Sequence, residues 1–416
     1  MLASFLPFVV LFVAAAVAAK PVVVRKSPVT LPIARRINAT SAPDLLKIDQ
    51  ARAKVLKQQG LAAGKGSASV RKTAIDAIFN FPVTNGAVDY TASVGVGTPP
   101  TQYNLIVDTG SSNTWVGAGK AYIPTSSSVN TGDQLFVQYS LSQFVLGDEY
   151  TDTVTLGDLT LTKQGLGVAQ IAEGFNGVDG ILGIGPVALT ESTVTDQESV
   201  PTVLDRAFSQ GLISSEVIGI SFEPTTQVSA TNGELTFGGT DSSKYTGDIA
   251  YVPVTSTPPA SAFVGIAQSI TYGSDGTTIL PMTAGITDTG TTLTFIASDA
   301  FAKYKAATGA ELDDDTGLLK ITPEQFDKLE SLFFHVGEHT YEFTPNAQIW
   351  PRALNLAILG DPNSIYLIVG DLGSDSGEGL DFIDGFTFLE RFYYVWDVEN
   401  RRVGFATTQF TDATTN

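Results

Sequence analysis

One eight-residue pattern occurs twice in this chain, and it constrains the fold more than any other feature. Leu105-Ile-Val-Asp-Thr-Gly-Ser-Ser returns 180 residues later as Gly285-Ile-Thr-Asp-Thr-Gly-Thr-Thr. Each copy is followed at a distance by an apolar segment with glycine, Val178-Asp-Gly-Ile-Leu-Gly-Ile-Gly in the first case and Phe382-Ile-Asp-Gly-Phe in the second. Such a repeat predicts two related halves of similar size, each with one copy of the acidic motif.

The residue pattern around the two copies is typical of a β protein. Short alternating runs of Val, Ile, Thr, Tyr and Phe, broken by Gly, Asn and Asp, predict strands and hairpins at residues 90–97, 103–110, 152–162 and 233–239. A few helices are also predicted, at residues 201–211, 298–309 and 322–333. The pattern indicates an all-β fold, mainly antiparallel with a few short helices, in two lobes that meet near residues 245–255.

The amino terminus differs from the rest in hydropathy and charge. Residues 2–19 are uncharged and apolar and end in small residues, which predicts a secretory signal peptide at 1–19 rather than a membrane anchor. Residues 20–72 hold 12 lysines and arginines against two acids, whereas residues 73–416 hold 12 against 41. This acidic remainder argues against nucleic acid as a partner, and its self-repulsion would be relieved when carboxylates protonate.

The basic stretch is interpreted as a removable activation prosegment at 20–76. Ser41-Ala-Pro-Asp opens a predicted helix that Gly60 ends, and a Gly/Ala/Ser-rich linker over 60–69 follows. The dibasic pair Arg71-Lys72 is a candidate processing site, with a mature amino terminus expected near 73–80. The two lobes are then placed at 77–250 and 251–416.

Asp108 and Asp288 are the candidate catalytic residues. Each follows an apolar strand that can bury it, each precedes a glycine that permits a tight turn, and each has a neighbouring hydroxyl, Ser111 or Thr291. If pseudo-symmetry brings the two carboxylates together, both cannot ionise cheaply, so the pair titrates as a unit. One can then activate a water while the other protonates or polarises a carbonyl. This chemistry needs neither cysteine, of which the chain has none, nor histidine, of which it has two.

These motifs resemble the two active-site loops of pepsin-like aspartic peptidases, over essentially all of residues 84–409. Within that family the chain is similar to the cysteine-free basidiomycete secreted aspartic proteases of the polyporopepsin type. The resemblance implies the bilobal pepsin-like acid protease fold with pseudo-two-fold symmetry. Position by position, it implies a catalytic pair, supporting residues in both loops, a flap tyrosine and the tryptophan behind it: Asp108, Asp288, Thr109, Gly110, Ser111, Thr289, Gly290, Thr291, Tyr139 and Trp115.

The implied function is that of a secreted, extracellular endopeptidase, made as a zymogen and working at acid pH with a preference for hydrophobic residues. It needs no cofactor and no metal. Its partners are protein or peptide substrates and its own prosegment, in which Lys65 or Lys72 is expected to contact the catalytic acids, as a lysine does in related zymogens. A monomer is expected, without membrane contact after processing.

Two positions depart from the family pattern. The flap reads Tyr139-Ser-Leu-Ser-Gln-Phe, so both of the family's flap glycines are missing. Asp384 stands before Gly385, where the wider family more often has an apolar residue. The altered flap keeps open the alternative of a catalytically impaired, pepsin-fold binding protein.

Two metal-site readings are weaker. His335-Val-Gly-Glu-His339 satisfies a pattern of some zinc peptidases, but that pattern works on a helix. Gly337 and the strand-like flanks favour a hairpin with two surface histidines instead. The acidic run 313–315 is a calcium candidate that is better explained as a solvated turn.

Overall fold

The structure, a computed structural model, describes residues 28–37, 45–63, 88–140 and 142–415. The predicted signal peptide, Lys65, Lys72 and the expected mature amino terminus lie outside these residues. Strands of the first half are β1 Val29–Ile37, β2 Val88–Val96, β3 Thr101–Asp108, β4 Thr114–Val116, β5 Val129–Gln138, β6 Phe144–Leu156, β7 Leu159–Glu173, β8 Gly180–Gly183, β9 Val217–Ser221, β10 Ser229–Phe237 and β11 Thr246–Pro253.

The second half is built in the same manner. Its strands are β12 Gly265–Tyr272, β13 Thr277–Thr287, β14 Thr294–Ile296, β15 Glu311–Leu312, β16 Leu319–Ile321, β17 Leu332–Val336, β18 His339–Phe343, β19 Ile365–Leu367, β20 Val369–Asp371, β21 Phe382–Asp384, β22 Phe392–Asp397 and β23 Arg402–Thr407. The α-helices of the described residues are α1 Leu45–Ala63, α2 Val203–Ser209, α3 Ser298–Thr308, α4 Pro323–Phe326 and α5 Phe386–Leu389. Short 3₁₀ helices span Val187–Thr190, Ala260–Ala262 and Arg352–Ile358.

The described strands form three sheets. The largest has 13 strands in the order β11-β23-β22-β9-β10-β1-β2-β3-β8-β4-β7-β6-β5, the second has seven and the third has three. Strands β22 and β23, from the end of the chain, join the first sheet beside β9 and β11. The lobe division predicted after residue 250 therefore falls within β11.

The repeat seen in the sequence is also a repeat of strand pairing. In the first half β3 runs parallel to β8, which pairs antiparallel with β4. In the second half β13 runs parallel to β21, which pairs antiparallel with β14. The expectation of a mainly β, bilobal, pseudo-symmetric fold is confirmed. Each acidic motif connects the two outer strands of such a unit, β3 to β4 in the first half and β13 to β14 in the second, so the fold delivers two equivalent loops.

The predicted strands are all present, and two of the helix predictions need correction. The helix expected over 322–333 ends at Phe326, because Leu332–Val336 is a strand paired with β12 and β18. Gly60 does not end α1, which continues to Ala63. A Cβ at Gly60 would lie 2.5 Å from the Pro259 carbonyl oxygen, so glycine here allows close packing rather than a helix end.

The basic amino-terminal stretch contributes a strand that the sequence analysis did not anticipate. β1 lies inside the large sheet, between β10 and β2. Its Arg35 is fully buried and its Nη1 lies 3.2 Å from Glu390 Oε1, which also accepts a hydrogen bond from Tyr90. β1 is thus bonded on both sides and tied to the second half by a buried ion pair.

Candidate active site

The two acidic loops have the same hydrogen bonds. The Asp108 carboxylate accepts from Gly110 N at 2.9 Å and from Ser111 Oγ at 2.5 Å. The Asp288 carboxylate accepts from Gly290 N at 3.0 Å and from Thr291 Oγ1 at 2.6 Å. Both aspartates are almost fully buried, at 1% and 0% exposure. Each loop therefore fixes its carboxylate with one backbone and one hydroxyl donor.

Thr109 and Thr289 cross-link the two loops. The backbone N of each donates to the hydroxyl of the other, at 2.9 Å and 3.0 Å. The Thr289 hydroxyl in turn donates to Val107 O at 2.9 Å. These reciprocal bonds join the ends of β3 and β13, so backbone from both halves fixes the positions of the two aspartates relative to each other.

The glycines of the two loops are required by the closeness of the opposite aspartate. A Cβ on Gly110 would lie 2.6 Å from Asp288 Oδ1, and one on Gly290 would lie 2.5 Å from Asp108 Oδ1. Both distances are shorter than side-chain contacts allow. The Gly in each Asp-Thr-Gly copy therefore makes room for the carboxylate of the other copy.

Arg52, on α1, lies between the two carboxylates. Its Nη2 donates to Asp108 Oδ1 at 2.6 Å and to Asp288 Oδ1 at 3.1 Å, while its Nε donates to Asp288 Oδ2 at 2.8 Å. Its side chain is 7% exposed. The guanidinium thus occupies the point where the two carboxylates converge, and whether they contact each other directly without it stays a prediction.

The guanidinium makes the two aspartates unequal. Burial raises the pKa of Asp108 above its usual value, although Arg52 opposes this shift. Burial acts the same way on Asp288, but Arg52 faces that carboxylate with two nitrogens and, with the Thr291 hydroxyl, lowers the pKa of Asp288 below its usual value. Burial alone would lower the pKa of Arg52, yet the two carboxylates raise it, so Arg52 remains a cation.

Asp49 anchors the same helix one turn earlier. Its Oδ2 accepts from the backbone N of Thr292 at 3.0 Å and of Leu293 at 2.9 Å. Burial raises the pKa of Asp49 to about 7, while these two backbone donors oppose the shift. Asp49 and Arg52 therefore lie on one buried face of α1, together with Ile48 and Leu56.

Polar side chains along α1 fasten it to both halves. Gln59 donates to Gln138 O at 2.8 Å, and Gln50 donates to Asp371 O at 2.8 Å. Lys57 donates to Ser374 Oγ at 2.9 Å and pairs with Glu378. The helix thus lies across the two acidic loops. A small pocket remains there, and its lining includes Asp89. Burial raises the pKa of Asp89 to about 7.

Tyr139 and Trp115 lie together beside this site. Trp115 Nε1 donates to the Tyr139 hydroxyl at 2.8 Å, and Phe175 packs edge-on against both rings. Burial raises the pKa of Tyr139 above its usual value by disfavouring the phenolate, and the nearby Asp108 adds to this. Tyr139 is therefore a neutral phenol whose hydroxyl faces an indole donor.

The segment after Tyr139 forms a turn without the family's glycines. The backbone N atoms of Tyr139 and Ser140 donate to Gln143 O at 2.8 Å and 3.2 Å, and Ser142 N donates to Ser140 Oγ at 3.2 Å. Gln143 Nε2 donates to Gly174 O at 3.1 Å. Leu141 is outside the described residues; none of residues 139, 140, 142 and 143 has a positive φ. These four positions do not need glycine.

Neither of the two metal-site candidates has the arrangement of side chains that a metal site needs. His335 and His339 lie on the antiparallel hairpin β17–β18, as the favoured interpretation predicted, and His335 bonds Thr271 and Thr340 through its two ring nitrogens. Asp313 is paired with Lys320 at 2.6 Å and accepts from Thr316. Within the described ranges, no three acidic, histidine or cysteine side chains form a cluster that could hold a metal ion.

The sequence analysis named the residues of both loops but missed Arg52 and Asp49. A usable signal was present, because these two charged residues are three apart on the apolar stripe that includes Ile48 and Val55. Charged residues on the buried face of a helix require partners of opposite charge or hydrogen-bond donors. Here the partners are the carboxylates and backbone amides of the two acidic loops.

Comparison with known proteins agrees with this geometry. The family described as "Eukaryotic aspartyl protease" matches residues 89–408. Polyporopepsin from Irpex lacteus is 63% identical over 337 residues, which are 80% of this chain and 98% of that protein. Secreted aspartic protease 8 from Candida albicans is 30% identical over 350 residues, which are 79% of this chain and 78% of that protein.

A solved structure shows the same fold. The crystal structure of the aspartic proteinase from Irpex lacteus has a TM-score of 0.77 and 64% sequence identity, and the match covers 79% of this chain and 96% of that one. The family match extends over both acidic loops. The chain is therefore a member of the pepsin-like eukaryotic aspartyl proteases, and an aspartic endopeptidase.

Proposed function

We propose that this chain is the precursor of a secreted endopeptidase that hydrolyses peptide bonds at acid pH through a water held between Asp108 and Asp288. The observation that supports this most is the equivalence of the two loops, which aim two buried carboxylates at one point. At that point a water would receive hydrogen bonds from one carboxyl and give a proton to the other.

The acid and base roles of the two aspartates follow from the proton that they share. With the prosegment gone, two close carboxyl groups keep one proton between them, because ionising both in a buried site is unfavourable. The ionised member takes a proton from the water, which attacks the peptide carbonyl. The protonated member donates to the carbonyl oxygen. Ser111 and Thr291 hold the outer oxygens, so the shared proton stays on the inner side.

Substitution of either aspartate tests the catalytic assignment. Asp108→Asn and Asp288→Asn each remove one acid–base partner with little change in shape, so we expect turnover of an unfolded protein at acid pH to be lost. Asp275→Asn is the matched control, since Asp275 lies in an exposed turn. Full activity in either loop variant would refute the dyad. A wild-type protein that binds the unfolded substrate without hydrolysing it would favour the binding-protein alternative.

Residues 20–76 are proposed to act as an intramolecular inhibitor. α1 covers the catalytic loops and Arg52 fills the position proposed for the water, which supports the idea without involving Lys65 or Lys72. Acid should weaken this contact. The pKa of Asp288 is lowered by Arg52, so its contribution is present above the ordinary aspartate pKa and is lost as pH falls through the lowered value.

Self-activation can be tested on the purified precursor. Acidification without any added protease should produce a shortened chain in the wild-type protein and none in Asp288→Asn. If no shortened chain appears at any acid pH, another protease must remove the segment, for which Arg71-Lys72 is the candidate site. A monomer in solution and a preference for hydrophobic residues beside the cleaved bond, tested with a peptide library, complete the proposal.

Secretion is proposed from the apolar residues 2–19, which precede the described part of the chain. No helix among the described residues is long and apolar enough to span a membrane. A relative of this chain is named a secreted aspartic protease. Sequencing the amino terminus of the exported protein would test the expected cut after Ala18 or Ala19.

A further inference from the structure

Asp384 is a buried carboxyl group that the proposed reaction does not use. It ends β21, and its exposure is 0%. Its Oδ1 accepts a hydrogen bond from Gln268 Nε2, on β12, at 3.1 Å. The other two oxygens of this contact, Asp384 Oδ2 and Gln268 Oε1, have no hydrogen-bond partner among the described residues. Leaving two buried acceptors unpaired is costly. If the Asp384 carboxyl group is ionised, no hydrogen atom lies between these two oxygens, and both stay unpaired.

The other half of the molecule has apolar residues at the two equivalent positions. Asp384 pairs in register with Thr287 and Thr294, as Leu182 does with Val107 and Thr114. Gln268 lies opposite residue 283 on β13, as Val94 lies opposite residue 103 on β3. Leu182 and Val94 are both fully buried. The second half therefore carries a carboxyl and an amide where the first half carries two apolar side chains.

Among the described residues, the Gln268 amide is the one side-chain donor to the Asp384 carboxyl group. No lysine, arginine or histidine of the described residues bonds its oxygens. The ionisable groups on the elements packed around it are aspartates and tyrosines, none of which carries a positive charge: Asp288 after β13, Tyr393, Tyr394 and Asp397 on β22, Tyr272 farther along β12 and Asp381 just before β21. β14 and α5 contribute none. Burial raises the pKa of Asp384 to about 8, although Gln268 opposes the shift.

We propose that Asp384 is a protonated carboxylic acid, paired with the Gln268 amide by two hydrogen bonds, and that this neutral pair positions Asp288. The Asp384 hydroxyl donates to Gln268 Oε1 while Gln268 Nε2 donates to Asp384 Oδ1, which satisfies both leftover oxygens. The backbone carbonyl oxygen of Asp384 accepts a hydrogen bond from the backbone N of Asp288 at 3.1 Å. The pair thus fixes the strand end that supports the second loop. This step rests on the proposed catalytic role of Asp288.

The pair makes stability depend on pH in a defined direction. The pKa of Asp384 in the folded protein lies above its ordinary value of 3.8. Its contribution is therefore complete below about pH 4 and is lost progressively as pH rises towards 8. Between these limits the unfolded chain gives up a proton that the folded chain keeps, so the unfolding equilibrium constant rises about tenfold per pH unit from this group.

Asp384→Asn is the decisive variant, because an asparagine amide can supply the same donor and acceptor and cannot ionise. Denaturant unfolding of the full-length precursor is measured between pH 6 and 8, away from acid conversion. The ratio of the wild-type to the variant unfolding constant should rise about tenfold per pH unit. A ratio that does not change with pH would mean that Asp384 is ionised in the folded protein, and would overturn the proposal.

Glu149→Gln is a matched control on β6. Glu149 is a second buried carboxyl, and burial raises its pKa to about 8, so this variant should also flatten the pH dependence of unfolding. It lies in the interior of β6, beyond the flap segment 139–144, and β6 pairs with β2, β5 and β7 rather than with the strands that carry Asp288. We expect its kcat and KM at acid pH to remain those of the wild type.

The positioning role is tested by kinetics at acid pH. Asp384→Leu leaves the Gln268 amide unpaired, and a displaced Asp288 should lower kcat about tenfold to a hundredfold with KM unchanged. Adding Gln268→Val restores the apolar pair of the first half and should recover most of the lost kcat, as Asp384→Asn should retain it. A folded Asp384→Leu variant with wild-type kcat would refute positioning. If Asp288→Asn itself stayed active, the proposed function would fail, while the unfolding ratio would still decide the protonation of Asp384.

Discussion

Replacing Arg52 with methionine removes the cation from between Asp108 and Asp288 and keeps a side chain of similar length. Removing one partner of a buried ion pair costs about 3–5 kcal/mol. The lower end applies here, because the two carboxylates can share a proton once the guanidinium is gone. A loss of about 3 kcal/mol corresponds to roughly a hundredfold weaker docking of α1.

The assay is hydrolysis of a short peptide by the uncut precursor, just above the pH at which the wild-type precursor converts. Arg52→Met should show activity there and should convert at higher pH. Lys54→Met is the control, since this substitution removes the same charge from an exposed position on α1. If Lys54→Met had the same effect, overall charge attraction would hold the segment. If Arg52→Met converted like the wild type, the inhibitory role of Arg52 would be wrong.

Three further perturbations test the site. Asp49→Asn keeps the acceptor for Thr292 N. Because burial raises the pKa of Asp49 to about 7 on docking, the wild-type contact weakens as pH rises towards 7 and the contact of the variant does not. Conversion of the variant between pH 5 and 6, followed by gel, should therefore be slower than that of the wild type. Gly290→Ala places a Cβ 2.5 Å from Asp108 Oδ1 and should abolish peptide hydrolysis, which wild-type activity would contradict. Trp115→Phe leaves the Tyr139 hydroxyl without its donor, at a cost of about 1–3 kcal/mol, and should raise KM or lower kcat in steady-state assays; unchanged values of both would show that this bond does not affect catalysis.

The repeated motif predicted the centre of the molecule well, because its information is local. An apolar strand, an aspartate, a glycine turn and a hydroxyl define each loop, and the repeat implies the partner loop. The reciprocal bonds of Thr109 and Thr289 extend this logic across the two halves. The structure contains both arrangements, in the lobes that the family resemblance implied.

What the sequence did not predict depends on distant partners. Residues 29–37 include Pro32 and two arginines, a composition that argues against a strand paired on both sides. Arg35 is accommodated by partners far along the chain, the Glu390 carboxylate and the Thr225 carbonyl oxygen. The helix prediction over 322–333 failed for a similar reason, since pairing with β12 and β18 decides the conformation of Leu332–Val336.

The position of β1 has a consequence for the lifetime of the processed enzyme. If processing after Lys72 also removes residues 29–37, the chain loses a strand from the interior of the largest sheet, and β2 and β10 then need another partner for their backbone groups. The shortened chain would have to refold without the strand that was present when it first folded. Its persistence is then governed by how slowly it unfolds rather than by an equilibrium. Once denatured, such an enzyme would not regain its activity, whereas its precursor would.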